Sequence, residues 1–503
     1  VSSSGRFGAG RFAPAALAFL LGGLAALAFA PVGWHLLVFL CLAGLLRLIE
    51  RVSPRRGFLL GWMFGLGLFG VGVSWVYVSL AVYGGMPPWL AAFAVFLFCA
   101  LLAVFPALAG WGAVRYAAPG RFRWLLVFPL LWTATEWVRG WLFTGFPWLA
   151  AGYAQAPHGP LAGFAPIVGV YGVSWLTALI AGLLLWLSRS LSLPGRWLPP
   201  LAVLLGVLGA GHALKTVDWT RPVGEPVRVA LVQGNVPQEM KWRPERVART
   251  LADYAEAVRA ANARLIVLPE TALPVFYQDL RPSYLAELRE LAKARGADIL
   301  AGVPSGDLEG DYYNSVVSIG EGPPQFYHKQ HLVAFGEFVP PGFGWIVKVL
   351  NIPLSDFARG GRDQPPLEVA GQKVAVNICY EDVFGEEIVR ALPAATLLVN
   401  VTNDAWFGRS FAAWQHAQMS QMRALEAGRY MLRATNTGVT AIIDEKGRVV
   451  AALPEFTAAT LTGKAQGFGG MTPYARLGNA PVVLLMLGLL TVTALGNLRR
   501  KAV

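Results

Sequence analysis

The sequence predicts a membrane protein in which a bundle of about eight transmembrane helices carries a large extracytoplasmic α/β domain. Three observations predict it. Of the 503 residues, 55% are hydrophobic and only 14% charged, against about a quarter charged in an average soluble domain. The long uncharged runs fall in residues 1–215 and 480–497, and the stretch between them reads as ordinary globular sequence. The arginines and lysines of the apolar part gather in alternate connections. The expected division is seven helices over 1–215, an external domain over 216–478, and an eighth helix with a cytoplasmic tail over 479–503.

A hydrocarbon core roughly 30 Å thick takes about 20 apolar residues per helix. Eight segments approach that length: 13–30, 35–49, 57–82, 88–114, 124–139, 164–187, 197–214 and 479–497. Gly84-Gly85-Met86-Pro87-Pro88 is one of the breaks between them. The first is expected to be retained, because no small-residue cleavage pattern separates it from the second. One set of connections holds Arg6 and Arg11; Arg47, Arg51, Arg55 and Arg56; Arg115, Arg121 and Arg123; Arg189 and Arg196; and Arg499, Arg500 and Lys501. Those are fourteen basic residues against one acid, Glu50. The other short connections hold none, or one if Arg139 is counted there. Because Lys and Arg accumulate in cytoplasmic loops, both termini are expected inside and the large domain outside. The same residues account for the net charge of +12, so the basic balance is a topology signal and implies no nucleic-acid partner.

After a polar linker the external domain alternates strands and helices. Strands are expected at Val227 to Val236, Leu265 to Leu268, Asp298 to Val303, Tyr313 to Ile319, Lys373 to Ile378 and Thr396 to Val401. Helices are expected near Pro244 to Asn262 and Ser283 to Arg295, with a hairpin through Thr440 to Leu453 turning at Glu445-Lys446-Gly447. Such a mixture packs helices on sheet.

Three residues of that domain stand out. Cys379 is its only cysteine, so no disulfide forms there; it follows a strand alternating at Val374, Val376 and Ile378, where backbone N–H groups can activate a thiol and hold an oxyanion. Glu270 ends the apolar run LIVLP, which projects its carboxylate from a strand's carboxyl end as a general base. Lys329 could stabilise charge developing on a carbonyl oxygen. Taken singly, each has a plainer reading: a core thiol, a capping acid, a solvated lysine. His328 and His331 could form a metal pair, but no third ligand stands at a usual spacing.

Together they match a known constellation. The order Glu270, Lys329, Cys379, with gaps of 59 and 50 residues, lies within LPETALP, HKQHLVAFGEFVP and NICYED. This resembles the nitrilase superfamily of carbon–nitrogen hydrolases, and in particular its membrane branch, the apolipoprotein N-acyltransferases. GFPWLAAGYAQ, GVYGVSWL, VQGNVPQEMKW and NDAWFG extend the resemblance over nearly the whole chain. It implies a nitrilase-like αββα sandwich outside the membrane and a two-step acyl transfer without a cofactor or metal. Cys379, deprotonated by Glu270, would attack a phospholipid ester while Lys329 and a backbone N–H hold the oxyanion. The thioester would then pass its acyl chain to the α-amino group of a diacylglyceryl-modified lipoprotein. Glu337, Tyr380, Glu381 and Trp242 match further residues important in the family, Glu337 as a partner that orients Lys329. The implied setting is the bacterial inner membrane, the catalytic domain periplasmic and the protein a monomer among membrane lipids.

The stretch Phe335 to Ile352, broken by Pro340-Pro341-Gly342, is expected either to dip into the lipid interface or to be an ordinary buried loop. Trp406, Phe407, Phe411 and Trp414 form either a second apolar wall or core. Two rival functions fit the residues less well. A membrane-tethered amidase would use the same nucleophile on water, but the helical embedding favours a lipid substrate. A transporter with an external sensory domain is disfavoured, because the helices hold hardly any ionisable residues beyond Glu136, Arg139 and His212.

Overall fold

The computed structural model describes residues 9–307, 309–339 and 356–502. The chain divides into two compact units: Val1–Tyr77, Pro88–Val217 and Leu477–Val503 form one, and Val78–Pro87 with Asp218–Arg476 the other.

The first unit is helical, and its surface is the inverse of a soluble protein's. Phe19, Leu20, Phe93, Phe96, Leu484 and Leu485 are all exposed on helices, as expected of side chains that meet lipid. Its helices pack through small residues, the usual device where lipid removes the hydrophobic drive to associate. Gly57, Gly61 and Gly65 recur every fourth residue along Pro54–Gly72; a Cβ on Gly61 would stand 2.4 Å from the Pro106 carbonyl oxygen of the neighbouring helix. Among the described residues, two helices, Pro88–Tyr116 and Ala162–Ser190, are long and apolar enough to cross a membrane, or three if the bent pair Pro54–Gly72 and Val76–Tyr83 is one span. Phe12–Ala26, Leu37–Leu48, Leu198–Leu214 and Ala480–Gly496 are apolar but shorter.

One expected helix is corrected. The run 57–82 is not continuous, because the chain bends by 61° between Gly72 and Val76. Ser74 caps the break by donating from Oγ to the Val71 carbonyl at 3.2 Å. Beyond it, Val78–Pro87 packs in the α/β unit, where Ser79 Oγ donates to the Trp406 carbonyl at 2.9 Å and the Tyr83 ring meets Trp406 edge-on. The expected helix 124–139 opens with a widened turn, Arg123–Val127, before Phe128–Arg139. Pro129 has no N–H to give the preceding turn, and the Phe128 N–H reaches back five residues to the Arg123 carbonyl.

The α/β unit holds two six-stranded sheets. One runs Ala459–Ala465, Val227–Gln233, Leu265–Val267, Asp298–Gly306, Tyr312–Ile319, Phe326–His328; the other runs Val449–Ala452, Ala441–Ile443, Met431–Thr435, Leu397–Thr402, Gln372–Ile378, Leu367–Val369. Their inner strands are parallel and their outer ones antiparallel. Side chains alternate across a strand, and here both faces are buried, so one apolar run feeds two cores. Val229 and Leu231 enter the core between the sheets with Val374, Val376, Val399 and Val401. Ala230 and Val232 face outward, under the helices Pro244–Ala260 and Pro282–Lys293. On the far side Ala375 and Leu398 pack with the helix Ala412–Ala427. Helix, sheet, sheet and helix form the four layers of a nitrilase-like sandwich.

Leu231 is fully buried between the sheets. Leu231→Ala is expected to lower stability by about 2–5 kcal/mol, read as an earlier cooperative unfolding of the full chain in detergent, with no change in the geometry of the strand ends.

Candidate active site

The site stands where parallel strands of both sheets end. The strand Gln372–Ile378 sends Val374, Val376 and Ile378 inward, and the next residue, Cys379, adopts φ +52° before the short turn Cys379–Val383. A left-handed L-residue costs about 1–2 kcal/mol, so its surroundings must impose the conformation. The Cys379 carbonyl accepts hydrogen bonds from Asn400 Nδ2 at 3.1 Å and His416 Nε2 at 3.2 Å. Thr271 and Phe335, beside the other two acid–base segments, are also left-handed. Strain of this kind gathers at functional sites.

Glu270 follows the strand Leu265–Val267 and is buried. Its Oε1 accepts from Asn314 Nδ2 at 2.7 Å and its Oε2 from the Asn403 N–H at 2.8 Å. The turn that carries it passes directly over Gly302: a Cβ there would stand 2.4 Å from the Pro269 oxygen and 2.7 Å from Glu270 Cα. Lys329 is 1% exposed. Its Nζ pairs with Glu337 Oε1 at 2.7 Å and lies 3.6 Å from Glu270 Oε1. Burial opposes the Lys329 charge, but the Glu337 and Glu270 carboxylates outweigh it, and its pKa rises above the ordinary lysine value. Asn314 Nδ2 also reaches Glu337 Oε1 at 3.0 Å, so one amide bridges both acids. Glu337 Oε2 accepts from the Val333 N–H at 2.9 Å, which closes the loop around Lys329.

Glu381 stitches two of these segments together. Its carboxylate accepts from the Ile378 N–H at 2.7 Å, the Gln330 N–H at 2.7 Å, the His331 N–H at 3.1 Å and Tyr327 Oη at 3.0 Å. Burial pushes its pKa up to about 7 despite those donors. Tyr380 is half-buried against the His331 and Phe384 rings. Trp242 is 37% exposed; its neighbour Lys241 turns inward and donates to the Glu270 carbonyl at 3.1 Å. Burial brings the Lys241 pKa down to about 8, with the Glu270 and Cys379 charges acting the other way. The Cys379 thiol is held well above its ordinary value by burial and the Glu270 carboxylate, with Lys329 pulling it back. Those surroundings favour the thiol over the thiolate. With Glu270 and Lys329, that is the equipment for acyl transfer through sulfur.

Residues 21–183 match the model of the apolipoprotein N-acyltransferase N-terminal domain, and residues 228–467 match that of the carbon-nitrogen hydrolases. The apolipoprotein N-acyltransferase of Nitrosomonas europaea is 54% identical over 94% of this chain and 95% of its own length. The chain belongs to the apolipoprotein N-acyltransferase family. The enzyme of that name from Methylococcus capsulatus is 50% identical, over 95% of each chain. An amidase from Nesterenkonia sp. is similar over 52% of this chain and 97% of its own, with 18% identity and a TM-score of 0.38. As a member of the family the protein is an acyltransferase built on a carbon–nitrogen hydrolase domain.

Several groups at the site escaped the sequence reading: Lys241, Asn314, Asn400, Asn403, Asp382, Asp404, His416 and Arg433. The signal for some was present, since Asn314 interrupts the apolar strand YYNSVVSI and Asn400 and Thr402 interrupt LLVNVT on one face. His328 and His331 are engaged separately, His328 Nδ1 with Ser315 Oγ at 2.8 Å and His331 Nδ1 with Glu387 Oε1 at 3.0 Å. Of the stretch Phe335 to Ile352, residues 340–352, including Phe343 and Trp345, lie outside the described residues. Phe411 and Trp414 are 45% and 39% exposed, so they are not core.

Gly302→Ala is expected to push the Glu270 turn out of place. Stability should fall by about 1–3 kcal/mol, and reaction of Cys379 with an ester should slow by far more than the lost folded fraction explains. An unchanged rate per folded molecule would show that the Glu270 position does not depend on this contact.

Proposed function

We propose that the protein transfers a fatty acyl chain from a phospholipid to the α-amino group of the diacylglyceryl-modified N-terminal cysteine of a lipoprotein, through a thioester on Cys379. The observation that carries this reading is the convergence of Glu270, Lys329 and a left-handed Cys379 in a chain that matches relatives bearing that enzyme's name over nearly their full length.

In the first half-reaction Glu270 takes the thiol proton as sulfur attacks the ester carbonyl. The oxygen that gains charge is met by the Lys329 ammonium and a backbone N–H after Cys379. Glu337, paired with Lys329, fixes that ammonium in place. When the tetrahedral species collapses, the carbon–oxygen bond breaks and Glu270 returns the proton to the leaving lysophospholipid. In the second half-reaction the acceptor amine attacks the thioester, Glu270 takes the amine proton, the carbon–sulfur bond breaks and the sulfur regains its proton. Glu381 and Tyr380 shape the nucleophile's turn, and Trp242, on the surface beside Lys241, is available to an incoming chain.

The apolar helices of residues 1–215 and 479–503 fit eight spans of a bacterial inner membrane, several of them short or bent. The fourteen basic residues support a topology with both termini in the cytoplasm and 216–478 in the periplasm. A monomer contains every group the reaction uses.

Phospholipid alone is expected to leave a fatty acyl adduct on Cys379, seen by intact-protein mass spectrometry, removed by hydroxylamine and absent from Cys379→Ala. Glu270→Gln should form it on the order of 10²-fold more slowly, the usual scale of a general base. A diacylated lipopeptide should discharge it into a triacylated product. Free fatty acid released at one rate with or without lipopeptide would make the protein a hydrolase and the transferase reading wrong.

Orientation has its own test. Alkaline phosphatase, active only outside the cytoplasm, should be active when fused after Asp218; a stable but inactive fusion would reverse the topology.

A further inference from the structure

The ring of His416 has a carboxylate on each nitrogen: Nδ1 lies 2.9 Å from Asp404 Oδ1 and Nε2 lies 2.8 Å from Asp382 Oδ1. A neutral imidazole would set a lone pair against one carboxylate, so this geometry requires the imidazolium. Nε2 also reaches the Cys379 carbonyl at 3.2 Å. Arg433 completes the cluster, with Nη1 at 3.0 Å from Asp382 Oδ2 and Nη2 at 2.9 Å from Asp404 Oδ2. Arg433 Nη1 also donates to Asn400 Oδ1 at 2.8 Å, and Asn400 Nδ2 holds the same Cys379 carbonyl. Strand register places these side chains together, because Asn377, Asn400 and Arg433 are paired across three parallel strands. Asp382, Asp404, His416 and Arg433 are at most 2% exposed. Two anions and two cations balance.

Such a network is a poor source of stability, since desolvating four charges offsets their attraction. What it does locally is specific: both donors on the Cys379 carbonyl belong to it, and the residue whose φ is +52° is Cys379. It also touches the base, because Asp404 follows Asn403, whose N–H binds Glu270 Oε2.

We propose that His416, ion-paired through both ring nitrogens, is a positioning residue for acyl transfer: together with Asn400 it draws the Cys379 carbonyl into the charge-balanced network and so holds the nucleophile in its left-handed conformation. This rests on the reading of Cys379 as the nucleophile, but not on the identity of donor or acceptor. It also sets a pH dependence. Burial and Arg433 disfavour the His416 charge, and the Asp382 and Asp404 carboxylates outweigh them, bringing its pKa up to about 9. A raised folded value means that the pairing contributes fully below the unfolded value of 6.5 and is lost as pH rises through about 9. The groups facing the ring are Asp382 from the turn after Cys379, Asp404 from the turn after the strand Leu397–Thr402, Arg433 from the strand Met431–Thr435, and the Cys379 carbonyl.

The test uses the full chain in detergent and a short p-nitrophenyl ester, whose first turnover releases a Cys379-dependent burst of nitrophenolate. His416→Ala and His416→Gln are expected to slow the burst by roughly 10²-fold, the scale of a misplaced reacting group, with the ester KM nearly unchanged. Leu231→Ala, matched for lost thermal stability, should keep the wild-type burst. Wild-type burst rates should decline above pH about 9, and that limb should be missing in His416→Gln; Lys241, near 8, titrates in both proteins and so does not mimic its loss. If His416→Ala does not fold, His416→Gln carries the comparison. Wild-type bursts in the folded His416 variants, or equal slowing in Leu231→Ala, would overturn the inference alone. A normal burst without transfer to lipopeptide would instead overturn the substrate assignment, and no Cys379-dependent burst in the wild type would overturn both.

Discussion

A charge removed from water must meet an opposite charge or a full set of hydrogen bonds, because the desolvation cost otherwise runs to several kcal/mol. The α/β unit buries Lys241, Glu270, Lys329, Glu381, Asp382, Asp404, His416 and Arg433 around the ends of its parallel strands. Each has a partner on another segment of the chain. Glu270 is satisfied by Asn314 and Asn403, from opposite sheets, and Glu381 by the segment after Lys329. The loops therefore cannot settle independently, and satisfying one carboxylate fixes the position of the next. Convergence of the reacting groups is a consequence of that shared requirement.

How much of this was legible in the sequence depends on the range of the interaction. Most inner strands are legible because alternation at Val374, Val376 and Ile378, or the unbroken run Leu265–Val267, is a local pattern with one buried outcome; the inner strand Met431–Thr435, with Arg433 buried in its middle, is not among those expected. The strands Phe326–His328, Leu367–Val369 and Ala459–Ala465 were not recognised. They are short or half-exposed edge strands and carry no apolar period of their own. The helix Ala412–Ala427 also escaped: it is buried almost all round, with His416, Arg423 and Glu426 inside, so it lacks an amphipathic stripe. Glu270, Lys329 and Cys379 were found through short motifs, whereas His416 and Arg433, which touch the nucleophile's turn from other elements, carry no such mark.

The apolar unit shows the converse limit. Hydropathy registers composition and is blind to direction, so 57–82 reads as one long helix although the backbone turns by 61° within it. Glycines that let Pro54–Gly72 approach its neighbours also lower its helical propensity. The residues beyond the bend are apolar for another reason: Val78 and Tyr83 lie against Gly408 and Trp406 of the α/β unit. An apolar run can thus serve lipid at one end and protein at the other, which no window average separates.

The electrostatics of the site bear on how a thiol serves here at all. Lys329 is paired with Glu337 and lies near Glu270, and Lys241 sits on the Glu270 carbonyl, so both ammonium groups are already engaged before sulfur ionises. A free thiolate would add an unpaired charge to a buried place, and the thiol is accordingly raised well above its ordinary value. In the proposed reaction the proton need not leave first. As it passes to Glu270, negative charge moves through sulfur to the carbonyl oxygen, and neutralising Glu270 releases Lys329 from one of its two acids. The ammonium is then paired with Glu337 alone and is free to meet the new oxyanion. Its strongest interaction arises in the transition state and not in the resting enzyme, and an interaction of that kind raises the rate rather than tightening substrate binding.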